Sequence, residues 1–184
     1  MNYEHLQRLK KKKKAEIYLW TGTGVGKSTS AFGAALRSVG HNHRVVIIQF
    51  MKGWKNIGEY KIREKLSPYY EIHQFGGVGW INLKNPAQKD SNLAKQGLEF
   101  ARKKIRENPP DLLILDEINL ASAAGLLKVD DVLNFLVEIP GRTAVYLTGR
   151  YAPEEFIELS DFVNVVYRIK EPAKFKFNKE GIDY

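Results

Sequence analysis

Residues 16–29 read Glu-Ile-Tyr-Leu-Trp-Thr-Gly-Thr-Gly-Val-Gly-Lys-Ser-Thr. The first five form a short apolar, β-rich run of the kind that makes a buried strand. Three alternating glycines then break regular structure. From Lys27 the small residues of 27–39 favour a helix, which Gly40 stops. Strand, glycine loop and helix in this order are the setting of a phosphate loop. Glycines allow backbone N–H groups to turn toward phosphate oxygens. The helix N-terminus adds unpaired donors and a partial positive charge. Gly22, Thr23, Gly24, Val25, Gly26, Lys27, Ser28 and Thr29 are therefore the expected nucleotide-binding residues. Lys27 brings a full charge, and Ser28 rather than Thr29 offers a hydroxyl to Mg²⁺. Thr21 stands where the usual G-x-x-x-x-G-K-[ST] pattern has its first glycine. A glycine-rich helix start with no ligand is the bland alternative; the coincidence of strand, glycines, lysine and hydroxyl argues against it.

Outward from this loop the chain alternates. Residues 44–50 (RVVIIQF), 70–75, 112–115, 143–147 and 162–167 read as further strands. Helices are expected over 58–66, 92–106, 121–127, 130–136 and 153–159, the last with Pro153 in its first turn. Alternating β and α segments predict a single-domain α/β fold. Its form is a three-layer parallel sheet of the recombinase-like P-loop class. Ligands in such sheets bind beyond the carboxyl ends of the strands.

One of those ends carries acids. Asp111-Leu-Leu-Ile-Leu-Asp116-Glu117 is an apolar strand closed by two carboxylates, the form of a Walker B segment. Ser28, Asp116 and Glu117 are the expected metal ligands. Helix capping is the competing reading of the acid pair. Glu117 would serve an ATPase as the base for water, and another transfer reaction as a metal ligand.

Composition removes other chemistry. With no cysteine there are no disulfides, thiolate metal sites, iron–sulfur clusters or cysteine nucleophiles. No apolar run reaches the ~18 residues of a membrane span. The N-terminus lacks the apolar core of a secretory signal. A cytoplasmic location is expected. The four histidines show no helical ligand spacing, and no serine sits in G-x-S-x-G. Residues 1–14 hold six basic side chains against Glu4, a net of +5 out of the chain's +8. The rest of the chain carries only +3, which argues against a large nucleic-acid-binding face. This basic arm, 1–14, reads as a solvated, mobile tail preceding a catalytic domain at 15–184.

Further segments narrow the class. Gln49-Phe-Met-Lys-Gly53 follows the second strand. Leu115-Asp-Glu-Ile-Asn119 precedes Gly125-Leu-Leu. Leu147-Thr-Gly-Arg150 leads to Ala152-Pro-Glu-Glu155, and Lys179-Glu-Gly-Ile-Asp-Tyr184 closes the series. In this order the segments resemble the P-loop type of ATP:corrinoid adenosyltransferase, over about residues 15–184. The Thr-Gly-x-Gly-x-Gly-Lys loop is also that family's form. Two departures stand out. Val78 occupies an aromatic position of the family's G-F-T-W segment, although Trp80 is kept. Residues 171–178 stray from its usual His-Pro stretch.

The resemblance implies alkyl transfer from ATP, held reversed in the loop, to the Co(I) of a reduced corrinoid, with triphosphate leaving. Catalysis would fall to Lys27 and Glu117. Lys52, Trp54, Trp80 and Arg150 would meet the corrinoid, with Arg150 able to contact either ligand. Mg²⁺, a separate reductase and a homodimer are implied as well. The N-terminal arm could lie over an active site. A recombinase-like P-loop ATPase acting on nucleic acid is the alternative; it leaves QFMKG, LTGR and Trp80 without a role.

Overall fold

The computed structural model describes residues 3–79, 82–83, 85–170 and 179–182. Six strands form one all-parallel sheet: β1 (Ile17–Thr21), β2 (Val45–Phe50), β3 (Tyr70–Phe75), β4 (Leu112–Asp116), β5 (Ala144–Thr148) and β6 (Phe162–Val165). Their spatial order is β3-β2-β4-β5-β1-β6. The helices are α1 (Tyr3–Lys12), α2 (Lys27–Val39), α3 (Gly58–Lys61), α4 (Gln88–Glu107), α5 (Ile118–Ala123), α6 (Val129–Glu138) and α7 (Glu154–Leu159). All residues of β2 and β4 are buried, because helices cover both faces of these central strands. Among the described residues no helix is long and apolar enough to cross a membrane.

The core divides by strand parity. Ile17, Leu19, Val46, Ile48, Leu113, Leu115, Val145 and Leu147 face the larger layer, with α4, α6 and α7. Val45, Ile47, Leu112 and Ile114 face Ala31 and Ala35 of α2. Alanines at that contact let α2 sit close on the sheet, which brings its first turn over the strand ends.

Several expectations on boundaries shift. The helix read at 58–66 is one α-turn, α3, continued as a 3₁₀ turn at Ile62–Glu64. The helix read at 92–106 starts at Gln88, and the one at 121–127 starts at Ile118. The last strand ends at Val165. The basic arm is corrected outright. Residues 3–12 are helical, with Leu6 and Leu9 buried against the protein. That helix packs on α6 and α7 of its own chain, away from the strand carboxyl ends. Lys10 pairs with Glu158 at 2.7 Å, and Lys13 pairs with Asp161. Leucines three apart supply the apolar contact, and Lys11, Lys12 and Lys14 remain exposed.

At the β3 edge, Glu71 accepts hydrogen bonds from Arg44 (2.7 Å) and from Lys104. Burial alone would raise the Glu71 pKa. The Lys104 and Arg44 bonds outweigh it and lower the value from 4.5 to about 2. A depressed carboxylate stabilises the fold above its unfolded value and loses that contribution as pH falls. Acid unfolding should therefore sharpen between pH 4.5 and about 2. In Glu71→Gln that part of the stability profile should flatten, as read by denaturant midpoints across the window.

Candidate active site

The site is a row of polar side chains laid across the sheet by strand register. Gln74 of β3 is paired with Gln49 of β2, and Gln49 with Asp116 of β4. Thr148 ends β5 next to Asp116 and is paired with Trp20 of β1. The row is hydrogen-bonded along its length. Gln74 Nε2 donates to Gln49 Oε1 (2.9 Å), and Gln49 Nε2 donates to Asp116 Oδ2 (3.0 Å). Thr148 Oγ1 donates to Asp116 Oδ1 (2.7 Å) and accepts the Glu117 N–H (3.0 Å). Lys52 Nζ adds a 2.7 Å ion pair to Asp116 Oδ2.

Asp116 is fully buried, which by itself would raise its pKa. The Lys52 charge, with hydrogen bonds from Lys52, Thr148 and Ser28, holds it below the ordinary carboxylate range. Glu117 goes the other way. Burial first, and the neighbouring Asp116 charge second, push its pKa up against Lys52, Lys27 and Arg150. Its Oε2 is buried and has no hydrogen-bond partner among the described residues. The capping reading fails here, because Glu117 precedes α5 without a side-chain cap bond.

The phosphate loop stands on the other side of β5. Lys27 is buried at the head of α2 and donates to the Gly24 carbonyl. Burial, then Arg150, lower its pKa, with Glu117 opposing. Gly22 and Gly24 are needed for space. A Cβ on Gly22 would lie 2.5 Å from the Val166 carbonyl oxygen, and one on Gly24 3.0 Å from Tyr167 backbone. The Gly24 N–H donates to Val166 O at 2.8 Å. Ser28 reaches Asp116, whereas Thr29 is exposed. Three non-glycine residues adopt left-handed backbone just past strand ends: Met51, Glu117 and Tyr151. Such strain concentrates where side chains must be aimed at a ligand.

The structure brings Lys27, Ser28, Asp116, Glu117 and Lys52 to one locus. Arg150, grouped with Trp54 as a corrinoid contact by the resemblance, stands beside the nucleotide loop. With Thr21, Gly22, Thr23, Tyr151 and Ala152 it lines a pocket of about 240 Å³. Trp54 lies in the loop after β2, 47% exposed, and its carbonyl accepts from Gln74 at 3.1 Å. Trp80 lies outside the described residues. Three contributors escape sequence reading as site residues: Gln49, Gln74 and Thr148. Their signal was present, as polar residues closing apolar strands.

Thr148→Val should unfold earlier. It strands a buried N–H and a carboxylate oxygen, at about 1–3 kcal/mol. Thermal unfolding should show a drop of several degrees, about 2–4 °C per kcal/mol at this size. Thr148→Ser should restore it.

The sequence profile of the family described as ATP:corrinoid adenosyltransferase BtuR/CobO/CobP matches residues 13–184. A corrinoid adenosyltransferase of Sinorhizobium sp is 33% identical over 98% of this chain and 86% of its own. The corrinoid adenosyltransferase of Escherichia coli K12 is 32% identical over 91% of this chain and 85% of its own. Among solved structures, the flagellar accessory protein FlaH of Methanocaldococcus jannaschii superposes with a TM-score of 0.53. It covers 83% of this chain and 71% of its own at 16% identity, a likeness of fold alone. With the phosphate loop and Asp116–Glu117 placed as described, the chain belongs to the ATP:corrinoid adenosyltransferase family.

Proposed function

We propose that this chain transfers the 5′-deoxyadenosyl group of ATP to the Co(I) of a reduced corrinoid, cob(I)alamin or cob(I)yrinic acid diamide, releasing triphosphate. One observation carries the reading. Both segments that set the family apart from ordinary P-loop ATPases converge on Asp116: QFMKG delivers Gln49 and Lys52, and LTGR delivers Thr148. An ATPase acting on nucleic acid gives neither segment a role.

In the step proposed, the cobalt electron pair forms a Co–C bond at the 5′ carbon. The C–O bond to triphosphate breaks, and cobalt ends formally as Co(III). No proton moves, so no general base is required. What the protein supplies is alignment and charge. Lys27 and the loop amides face the growing negative charge on the leaving group. Arg150, beside the same loop, supports that task. Ser28, Asp116 and Glu117 Oε2, which has no hydrogen-bond partner among the described residues, are oxygen donors suited to Mg²⁺. When bound, Mg²⁺ adds positive charge against the triphosphate. Trp54, on the exposed loop after β2, offers a flat face to the macrocycle, and Trp80 is assigned there as well. Residues 15–184 form the catalytic unit in this reading. With no cysteine in the chain, the reading assigns the electrons for Co(I) to a separate reductase, and places the enzyme in the cytoplasm as a homodimer.

One assay decides. Purified protein is mixed without oxygen with MgATP and chemically reduced cob(I)alamin. Adenosylcobalamin with stoichiometric triphosphate is expected. ADP and phosphate, stimulated by nucleic acid, would instead establish the ATPase.

A further inference from the structure

Lys52 stands on the carboxylate that the proposed cation needs. Asp116 Oδ1 takes the Thr148 hydroxyl, and Oδ2 takes both Gln49 Nε2 and Lys52 Nζ. Ser28 also helps hold this carboxylate ionised. Oδ2 already accepts two hydrogen bonds, so a divalent cation bound directly to it must displace one donor, and it repels an ammonium group held beside it. Of the groups on Asp116, Gln49 and Thr148 are fully buried, and their strands fix them. Lys52 is different. Its side chain is 30% exposed on a flexible four-carbon stem, so it is the one free to leave.

Its backbone, by contrast, is clamped. Met51 N–H donates to Phe75 O at 3.0 Å, Gly53 packs on the Gly76–Gly77 backbone, and Gly76 packs on that of Met51 and Lys52. Motion is thus confined to the side chain. A second acceptor lies close by. Gln49 Nε2, 3.0 Å from Asp116 Oδ2, is also 3.4 Å from Glu59 Oε1. Glu59 also acts electrostatically on Lys52. The two carboxylates are therefore stations on either side of one amide.

We propose that Lys52 is a positioning residue that occupies the cation position on Asp116 in the unliganded protein. It crosses to Glu59 when a divalent cation arrives with nucleotide. Charge explains the ordering. Lys27, Lys52 and Arg150 match Asp116, Glu117 and Glu59 charge for charge, so a bare divalent cation would leave the site net positive. Bound triphosphate reverses that sign. Lys52 thus excludes the cation until nucleotide is present, and its release reaches the QFMKG loop at the same moment. This rests on the reading of Asp116 as a cation ligand.

The test uses Mn²⁺ as probe, followed by electron paramagnetic resonance, on the full chain. Without nucleotide, Lys52→Met should bind Mn²⁺ about tenfold more tightly than the unaltered protein, and Lys52→Arg should not. With ATP present the difference should shrink. Glu59→Gln should weaken Mn²⁺ binding only when ATP is present, because Lys52 then lacks its second station; this variant also serves if Lys52→Met fails to fold. Equal Mn²⁺ affinity within twofold for Lys52→Met overturns the proposal, as does a Glu59→Gln effect independent of ATP. If adding Asp116→Asn leaves the Mn²⁺ affinity of Lys52→Met unchanged, the cation reading falls with it. Corrinoid turnover enters none of these readings, so the transferase assignment fails or stands separately.

Discussion

Lys27→Ala is expected to lower kcat/KM for MgATP by about 10²–10³-fold, the usual loss when a preorganised group facing developing charge is removed. Released triphosphate and adenosylcorrinoid should fall together, since one bond cleavage produces both. The substitution should not destabilise the unliganded protein. Burial, then Arg150, disfavour the Lys27 ammonium and Glu117 opposes them only in part, so the fold holds this charge at a net cost that a bound polyanion offsets. The thermal midpoint without ligand should stay level or rise, and the stabilisation produced by added ATP should shrink. A variant that lost activity through unfolding would show the opposite midpoint shift. Near-normal turnover in a folded Lys27→Ala would remove the phosphate loop from the reaction.

How far this was legible in the sequence depended on the range of the interaction involved. The phosphate loop was readable because glycines, lysine and hydroxyl act through their own backbone neighbours. The boundaries of α2 came out as read, since Gly26 and Gly40 punctuate it locally. Strand order is another matter. β5 lies between β1 and β4, so Thr148 stands between the loop and the acids. No local signal in residues 147–150 reveals that placement. Lys52, a corrinoid contact by the resemblance, reaches Asp116 with its ammonium across 64 positions, a pairing that no local pattern in QFMKG shows. α5 begins three residues earlier than expected because Glu117 turns left-handed straight after β4. The N-terminal helix is only weakly written in the sequence: Leu6 and Leu9 have helical spacing, but the lysine run that follows them has the composition of a solvated arm.

Gly76→Ala carries the largest expected structural effect. A Cβ there would lie 2.3 Å from both Lys52 N and Met51 C. Those are backbone atoms at the end of β2, held by the Met51–Phe75 hydrogen bond, so no side chain can yield. Relief requires parting β2 from β3 where their ends meet. The expected loss is about 3 kcal/mol, at the upper end of overpacking costs. At about 2–4 °C per kcal/mol, the thermal midpoint should fall by about 6–12 °C. Activity should suffer beyond stability, since the same shift displaces Lys52 and its neighbours from Asp116. Gly77→Ala supplies the control one residue on. A Cβ there meets nothing within 4 Å and its backbone is not left-handed, so the midpoint should barely move. If both alanines are tolerated alike, the close contact between the β2 and β3 ends is not what holds the QFMKG loop. The clamped backbone assigned to Lys52 would then have no support.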